Sequence, residues 1–131
     1  MRPYLALALI LAAVPLIGVT SSYSAPPPAV VLTVACTTNP EKVTVKNNTA
    51  QVITVKSVSS IYQPLNEEPF TVNKNVAAGK AITFKFGTGA TGPNVPTKKF
   101  IFNNDVGTRE GAKVVTTKGT FTKRCAAPAG S

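Results

Sequence analysis

Lysines and arginines outnumber carboxylates fourteen to five in this 131-residue chain, giving a formal net charge of +9. Ten of them, Lys42, Lys46, Lys56, Lys85, Lys98, Lys99, Lys113, Lys118, Lys123 and Arg124, fall mostly on polar sides of strand-like segments or in turns. Such a surface can hold an anionic polymer: a cell-wall polyanion, an acidic polysaccharide, phospholipid headgroups or nucleic acid. The candidate anion-binding set is Lys42, Lys46, Lys56, Lys85, Lys98, Lys99, Lys123 and Arg124. Lysines so placed also keep sheet edges from pairing with other chains and keep a protein soluble. The cations are spread along the chain in runs of no more than two, and lysine dominates over the arginine that bidentate phosphate recognition prefers. That distribution favours a solvated face over a dedicated site.

The missing residue types narrow the chemistry further. Without histidine the chain lacks a ready general base near neutral pH, a Ser-His or Cys-His pair, and the commonest metal ligand. Five carboxylates and two cysteines leave little for a metal cage, so neither metal nor cofactor is expected. Glu67 and Glu68 are neighbours in a loop and point to opposite sides if it is extended, whereas a glycosidase pair needs a set separation across a cleft. The Gly87–Asn94 stretch contains Gly-x-Gly but not the Gly-Lys-Ser/Thr and helix of a phosphate loop, and reads as a connection between strands. Asp105, after Asn103 and Asn104, suits a turn better than a calcium site. No residue is marked as a nucleophile, and the chain is read as no enzyme. Asn47-Asn48-Thr49 matches the N-glycosylation pattern, which matters only in a host that glycosylates exported proteins.

The elements that must position these groups begin after an address. Arg2 supplies one positive charge, Tyr4 to Val19 is an apolar run of 16 residues, and Thr20 to Ala25 is small and polar before Pro26-Pro27-Pro28. This is the order of a secretory signal. Ser22 and Ser24 fit the small positions before a cleavage point, which places cleavage after Ser24. The run is short of the roughly 20 residues that span a bilayer, and Pro15 interrupts it, so cleavage is favoured over retention as an anchor. Cleavage removes Arg2 and no acid, leaving the mature chain at +8, one less than the whole. Export to an oxidising compartment favours a disulfide, and the two cysteines, Cys36 and Cys125, allow one intramolecular pairing near the ends of the mature domain.

Residues 25–29 form a Pro/Ala leader, and from Val30 the chain reads as strand after strand. Val30 to Val34 is a β-branched run. Lys42 to Lys46 alternates strictly, with Val43 and Val45 on one face, and residues 42–58 read as a hairpin around Asn47-Asn48-Thr49. Further strands are expected near Phe70 and Val72, over Ala81–Phe86, Lys99–Phe102, Ala112–Thr117 and Thr120–Arg124, with a small-residue tail over 126–131. No apolar period of 3.6 persists after the signal. The pattern therefore predicts an all-β sandwich or barrel of about eight or nine short strands, preceded by a signal helix. Its core would draw on Val43, Val45, Ile53, Val55, Phe70, Val72, Ile82, Phe84, Phe86, Phe100, Phe102, Val114 and Phe121.

The order of several pieces resembles the lamin tail domain. They are the Val43–Thr49 strand and turn, the Ala77–Lys80 turn before an apolar strand, Phe86-Gly87-Thr88-Gly89, the Phe102–Asp105 corner and the Gly111–Val115 strand. They span roughly residues 30–124, within a domain bounded at 30–125. The resemblance implies an immunoglobulin-like β-sandwich of the secreted bacterial type, with a binding or adaptor role and no catalytic residues. The expected function is a non-catalytic surface or extracellular module, a monomer that associates with a protein or envelope component. Retention of a cationic domain on an anionic envelope polymer or nucleic acid is the second reading. A small secreted inhibitor or hydrolase is the third, with Gln63–Pro69 or Gly87–Asn94 as an inhibitor's exposed loop.

Overall fold

The computed structural model describes residues 25–62, 68–102 and 109–126. The expected signal at 1–24, most of the Gln63–Pro69 loop with Glu67, the Asn103-Asn104-Asp105 corner and the tail beyond Ala126 lie outside the described residues.

Alternation of apolar and polar side chains organises the fold. In β2 (Glu41–Asn47) every odd residue is buried, while Lys42 and Lys46 are exposed and Thr44 is half-buried. β2 is the centre of a three-stranded sheet, flanked by β1 (Val30–Ala35) and β5 (Ala81–Phe86). Both pairings are antiparallel, Val30 facing Asn47 on one side and Glu41 facing Phe86 on the other. The second sheet has the order β4-β3-β6-β7, from β3 (Ile53–Ser60), β4 (Phe70–Val76), β6 (Gly111–Thr116) and β7 (Gly119–Arg124), again antiparallel. One core lies between the sheets. Val43, Val45, Phe84 and Phe86 enter it from the first, and Ile53, Val55, Val58, Ala112 and Val114 from the second. Full burial of each large side chain contributes about 1.5–3 kcal/mol.

The molecule is thus an all-β structure of two antiparallel sheets, as expected of a sandwich; seven strands fall among the described residues, against an expectation of about eight or nine. Three details differ from the expectation. Residues 42–58 are not a hairpin: β2 and β3 belong to different sheets. Both edges of β2 are already filled by β1 and β5, so β3 has no edge to join. The second difference is Lys99–Phe102, which forms no strand. The amides of Ile101 and Phe102 bond to the Glu41 carboxylate instead of to a neighbouring strand. The third follows from it. Ile101 and Phe102 are consecutive and both buried, which breaks alternation and turns Phe100 outward, 47% exposed rather than in the core. Phe70, Val72, Ile82 and Phe121 are half-buried against the core.

The crossing from β2 to β3 is built around Asn47, which is fully buried. Its Nδ2 donates to the carbonyls of Gln51 (2.7 Å) and Val76 (2.9 Å), and its Oδ1 accepts from the Thr49 amide (2.9 Å) and hydroxyl (2.7 Å). Its backbone N–H donates to Lys80, and its carbonyl accepts from Gly79. Gly79 holds φ at +71°, a conformation side chains disfavour, and so closes the β4–β5 crossing against Asn47. Asn47 therefore joins a strand of one sheet to the end of a strand in the other. Removing its side chain orphans buried groups at about 1–3 kcal/mol each. Asn47→Ala is expected to lower stability by about 2–4 kcal/mol in denaturant melts. Asn47→Asp, the same shape with acceptors facing two carbonyls, should cost at least as much.

Cys36 follows β1 and Cys125 follows β7, the edge strands of opposite sheets, and the two form a disulfide with Cα atoms 5.9 Å apart. The bridge closes a separation of 89 residues, worth roughly 4–5 kcal/mol in the chain-entropy model. Titration under denaturing conditions without reductant should find no free thiol, and reduction should lower the melting temperature. Two titratable thiols would remove the staple.

Candidate functional site

The structure separates the expected anion-binding residues. Three of them share one surface, the outer face of the three-stranded sheet. Lys42 of β2 stands directly across from Lys85 of β5, and Lys46 lies on the same face. Between the lysine rows the Thr44 and Thr83 hydroxyls are 2.8 Å apart. The remaining outward positions, Val31, Thr33 and Ala35 of β1 and Ala81 of β5, are small and uncharged. No acid is present on this face among the described residues.

The other candidates lie elsewhere. Lys56 occupies the β-bulge of β3 between Val55 and Ser57. Lys123 and Arg124 end β7 on the other sheet, with Arg124 Nη1 donating to the Arg109 carbonyl at 3.0 Å. Lys98 Nζ donates to the Ala90 carbonyl, which ties it into its own loop. Lys99 is exposed beside Phe100. Lys113 of β6 faces Thr122 of β7, and Lys118 reaches Gln51 from the β6–β7 turn.

A second cluster was not singled out from the sequence. Glu41 and Glu110 are 1% and 2% exposed, at the start of β2 and just before β6. Glu41 Oε2 accepts from the Ile101 amide at 2.8 Å, and both its oxygens lie 3.3 Å from the Phe102 amide. Ser60, at the end of β3, donates its hydroxyl to Glu110 Oε1. Strand parity carried the missed signal. Glu41 falls in step with Val43 and Val45, and Glu110 with Ala112 and Val114, so both point inward.

Burial pushes the Glu41 carboxyl up to about 7 from its ordinary 4.5; the Ile101 and Phe102 amides oppose the rise and the neighbouring Glu110 adds to it. A hydrolase uses such a carboxyl at an open cleft. Here the oxygens are spent on backbone amides inside the sandwich, where they anchor the chain after Phe100.

The Asn47-Asn48-Thr49 sequon is structural. Asn47 is fully buried with its side-chain N–H groups donating to two carbonyls, so the folded chain offers no amide for a glycan. Of the loops considered for an inhibitor, Gly87–Asn94 is pinned by Asn39 Oδ1, which accepts from the Gly89 amide at 2.7 Å. Compared with known proteins, the chain matches no family model, no curated protein and no solved structure.

Glu41 makes stability depend on pH. The fold holds this proton more tightly than the unfolded chain does, so the folded state binds extra protons between pH 4.5 and about 7. The contribution is full below pH 4.5 and is lost as pH rises through about 7. Stability from denaturant melts should fall from pH 5 to pH 8 by up to about 3 kcal/mol. Glu41→Gln, whose carbonyl can keep both amide bonds, should flatten that slope; an unchanged slope would assign it to another group.

Proposed function

We propose that this chain is a non-catalytic, exported binding module, held on an anionic component of the cell envelope by the outer face of its three-stranded sheet. The observation that carries this reading is Lys42 directly opposite Lys85, with Lys46 beside them and no described acid on the face. Like charges paired across strands are destabilising unless a counter-charge relieves them. A polyanion lying on the face supplies that counter-charge, and the small residues around the lysines let an extended polymer approach the sheet.

The signal at residues 1–24, with cleavage after Ser24, delivers such a module outside the cytoplasm. The Cys36–Cys125 bridge suits the oxidising compartment it would enter. The strand order β1-β2-β5 and β4-β3-β6-β7 suits an immunoglobulin-like sandwich, and so supports the lamin-tail likeness of the sequence pieces. The raised carboxyl of Glu41 and the Ser60–Glu110 bond are occupied inside the sandwich, which supports a structural rather than a catalytic role for them.

A polyanion column run over a salt gradient tests the reading. Retention should weaken steeply between about 50 and 200 mM salt. Lys42→Gln with Lys85→Gln should elute at lower salt than Lys113→Gln with Lys123→Gln, although both pairs remove the same charge. Equal shifts would assign retention to net charge and overturn the sheet face as the site.

A further inference from the structure

Between the edge strand β4 and residues 94–100 lie two adjoining hollows of about 230 and 310 Å3. Their linings follow one another along both walls: Phe70 lines one and its neighbour Thr71 the other, and Thr97 lines one and its neighbour Pro96 the other. They form one groove along residues 68–74, about 20 Å of extended chain.

Phe100 is the feature that points to a ligand. It is 47% exposed, yet its ring is seated: a Cβ on Gly87 would lie 2.6 Å from Phe100 Cε1. Gly87 has φ +104°, so bare backbone is both tolerated and needed there. The next residue, Ile101, is clamped by its amide to buried Glu41 at 2.8 Å. An exposed ring fixed in advance costs little further ordering when a partner stacks on it. Polar groups of both kinds surround it. Lys99 and Glu68 line the same hollow as Phe100, and Lys74 and Asn94 line the other.

This set discriminates among occupants. A peptide adding to β4 as a strand meets a guarded edge. Asn73 sits at φ 43°, and Lys74 takes a register position opposite core Val55, both devices that discourage strand addition. A nucleic acid would find lysines but no arginine in the lining, and arginine is the residue that bidentate phosphate recognition prefers. A sugar polymer carrying carboxylates uses every group: hydroxyls donate to Glu68, carboxylates meet Lys74 and Lys99, and a ring face covers Phe100.

We propose that this groove binds an extended acidic polysaccharide, with one ring stacked on Phe100. The proposal rests on the reading of the chain as an exported binding module. It uses none of Lys42, Lys46 and Lys85, so the two can fail separately.

The test is titration of the full chain with short oligouronates, alongside a neutral glucan oligomer and a single-stranded DNA oligomer of similar length. The oligouronate should bind most tightly. Phe100→Ala should weaken it about tenfold or more, and Phe100→Tyr should restore it to within about twofold. Lys74→Gln should cost about threefold. Lys113→Gln, which belongs neither to the groove nor to the outer face of the three-stranded sheet, should leave it within about twofold. Phe100 is largely outside the core, and matched thermal melts would show that the variants fold. No oligouronate binding, binding unchanged by Phe100→Ala, or tighter binding of neutral glucan or DNA would each overturn the groove. Loss only in the Lys42/Lys85 variant would overturn it while leaving the sheet face standing.

Discussion

Strand β2 ends in a buried polar residue at each terminus, and the arrangement of the molecule depends on that pair. At one end the carboxylate of Glu41 gathers the amides of Ile101 and Phe102. At the other the amide of Asn47 gathers the carbonyls of Gln51 and Val76. A buried polar side chain is costly unless its hydrogen bonds are made. Among the described residues no buried side-chain nitrogen or oxygen lacks a partner. The central strand is therefore a template: what surrounds it must offer backbone groups at both of its ends. This bonding is directional, whereas the apolar contacts of the core are not, so it selects one way of laying the second sheet and the long β5–β6 connection against β2.

That constraint carries through to the surface. Because Ile101 and Phe102 turn inward to meet Glu41, Phe100 turns out over Gly87. Phe100, which lines the hollow beside β4, thus precedes a residue held by a carboxylate buried in the sandwich. On the opposite face of β2 the same alternation that buries Glu41, Val43, Val45 and Asn47 presents Lys42, Thr44 and Lys46 to solvent. One seven-residue strand so links the core, the anchored loop and the cationic face. The disulfide performs the corresponding task at the other edge, tying β1 to β7 where the two sheets meet without a shared ladder.

Much of this was legible in the residues. Period-two alternation located β2, β5 and the paired strands β6 and β7, and two cysteines allow only one pairing. The Ala77–Lys80 turn read from the sequence contains Gly79, which takes a φ of +71° in the structure. Parity even held the two buried glutamates, because a residue in step with Val43 or Val114 points the same way whatever its charge. They were passed over because charge argues for solvent when residues are judged singly. The segment Lys99–Phe102 misled for the converse reason. Its apolar residues look like a strand, and only a carboxylate 60 residues away in the sequence takes its amides out of any ladder.

The chain's local order settled what local physics can settle: which stretches extend, which side of each is apolar, and where the backbone must turn. Those properties depend on side chains a few positions apart. Partnership is a different matter. Whether β3 folds back on β2 or crosses to the other sheet, and which lysines meet on one face, turn on contacts between residues distant in sequence. Asn47 reaches Val76 and Glu41 reaches Ile101 only once the sheets are stacked. The grouping of Lys42 with Lys85, and the seating of Phe100 over Gly87, therefore belonged to the tertiary structure. Long-range hydrogen bonds and packing, and not local propensity, bring those residues together.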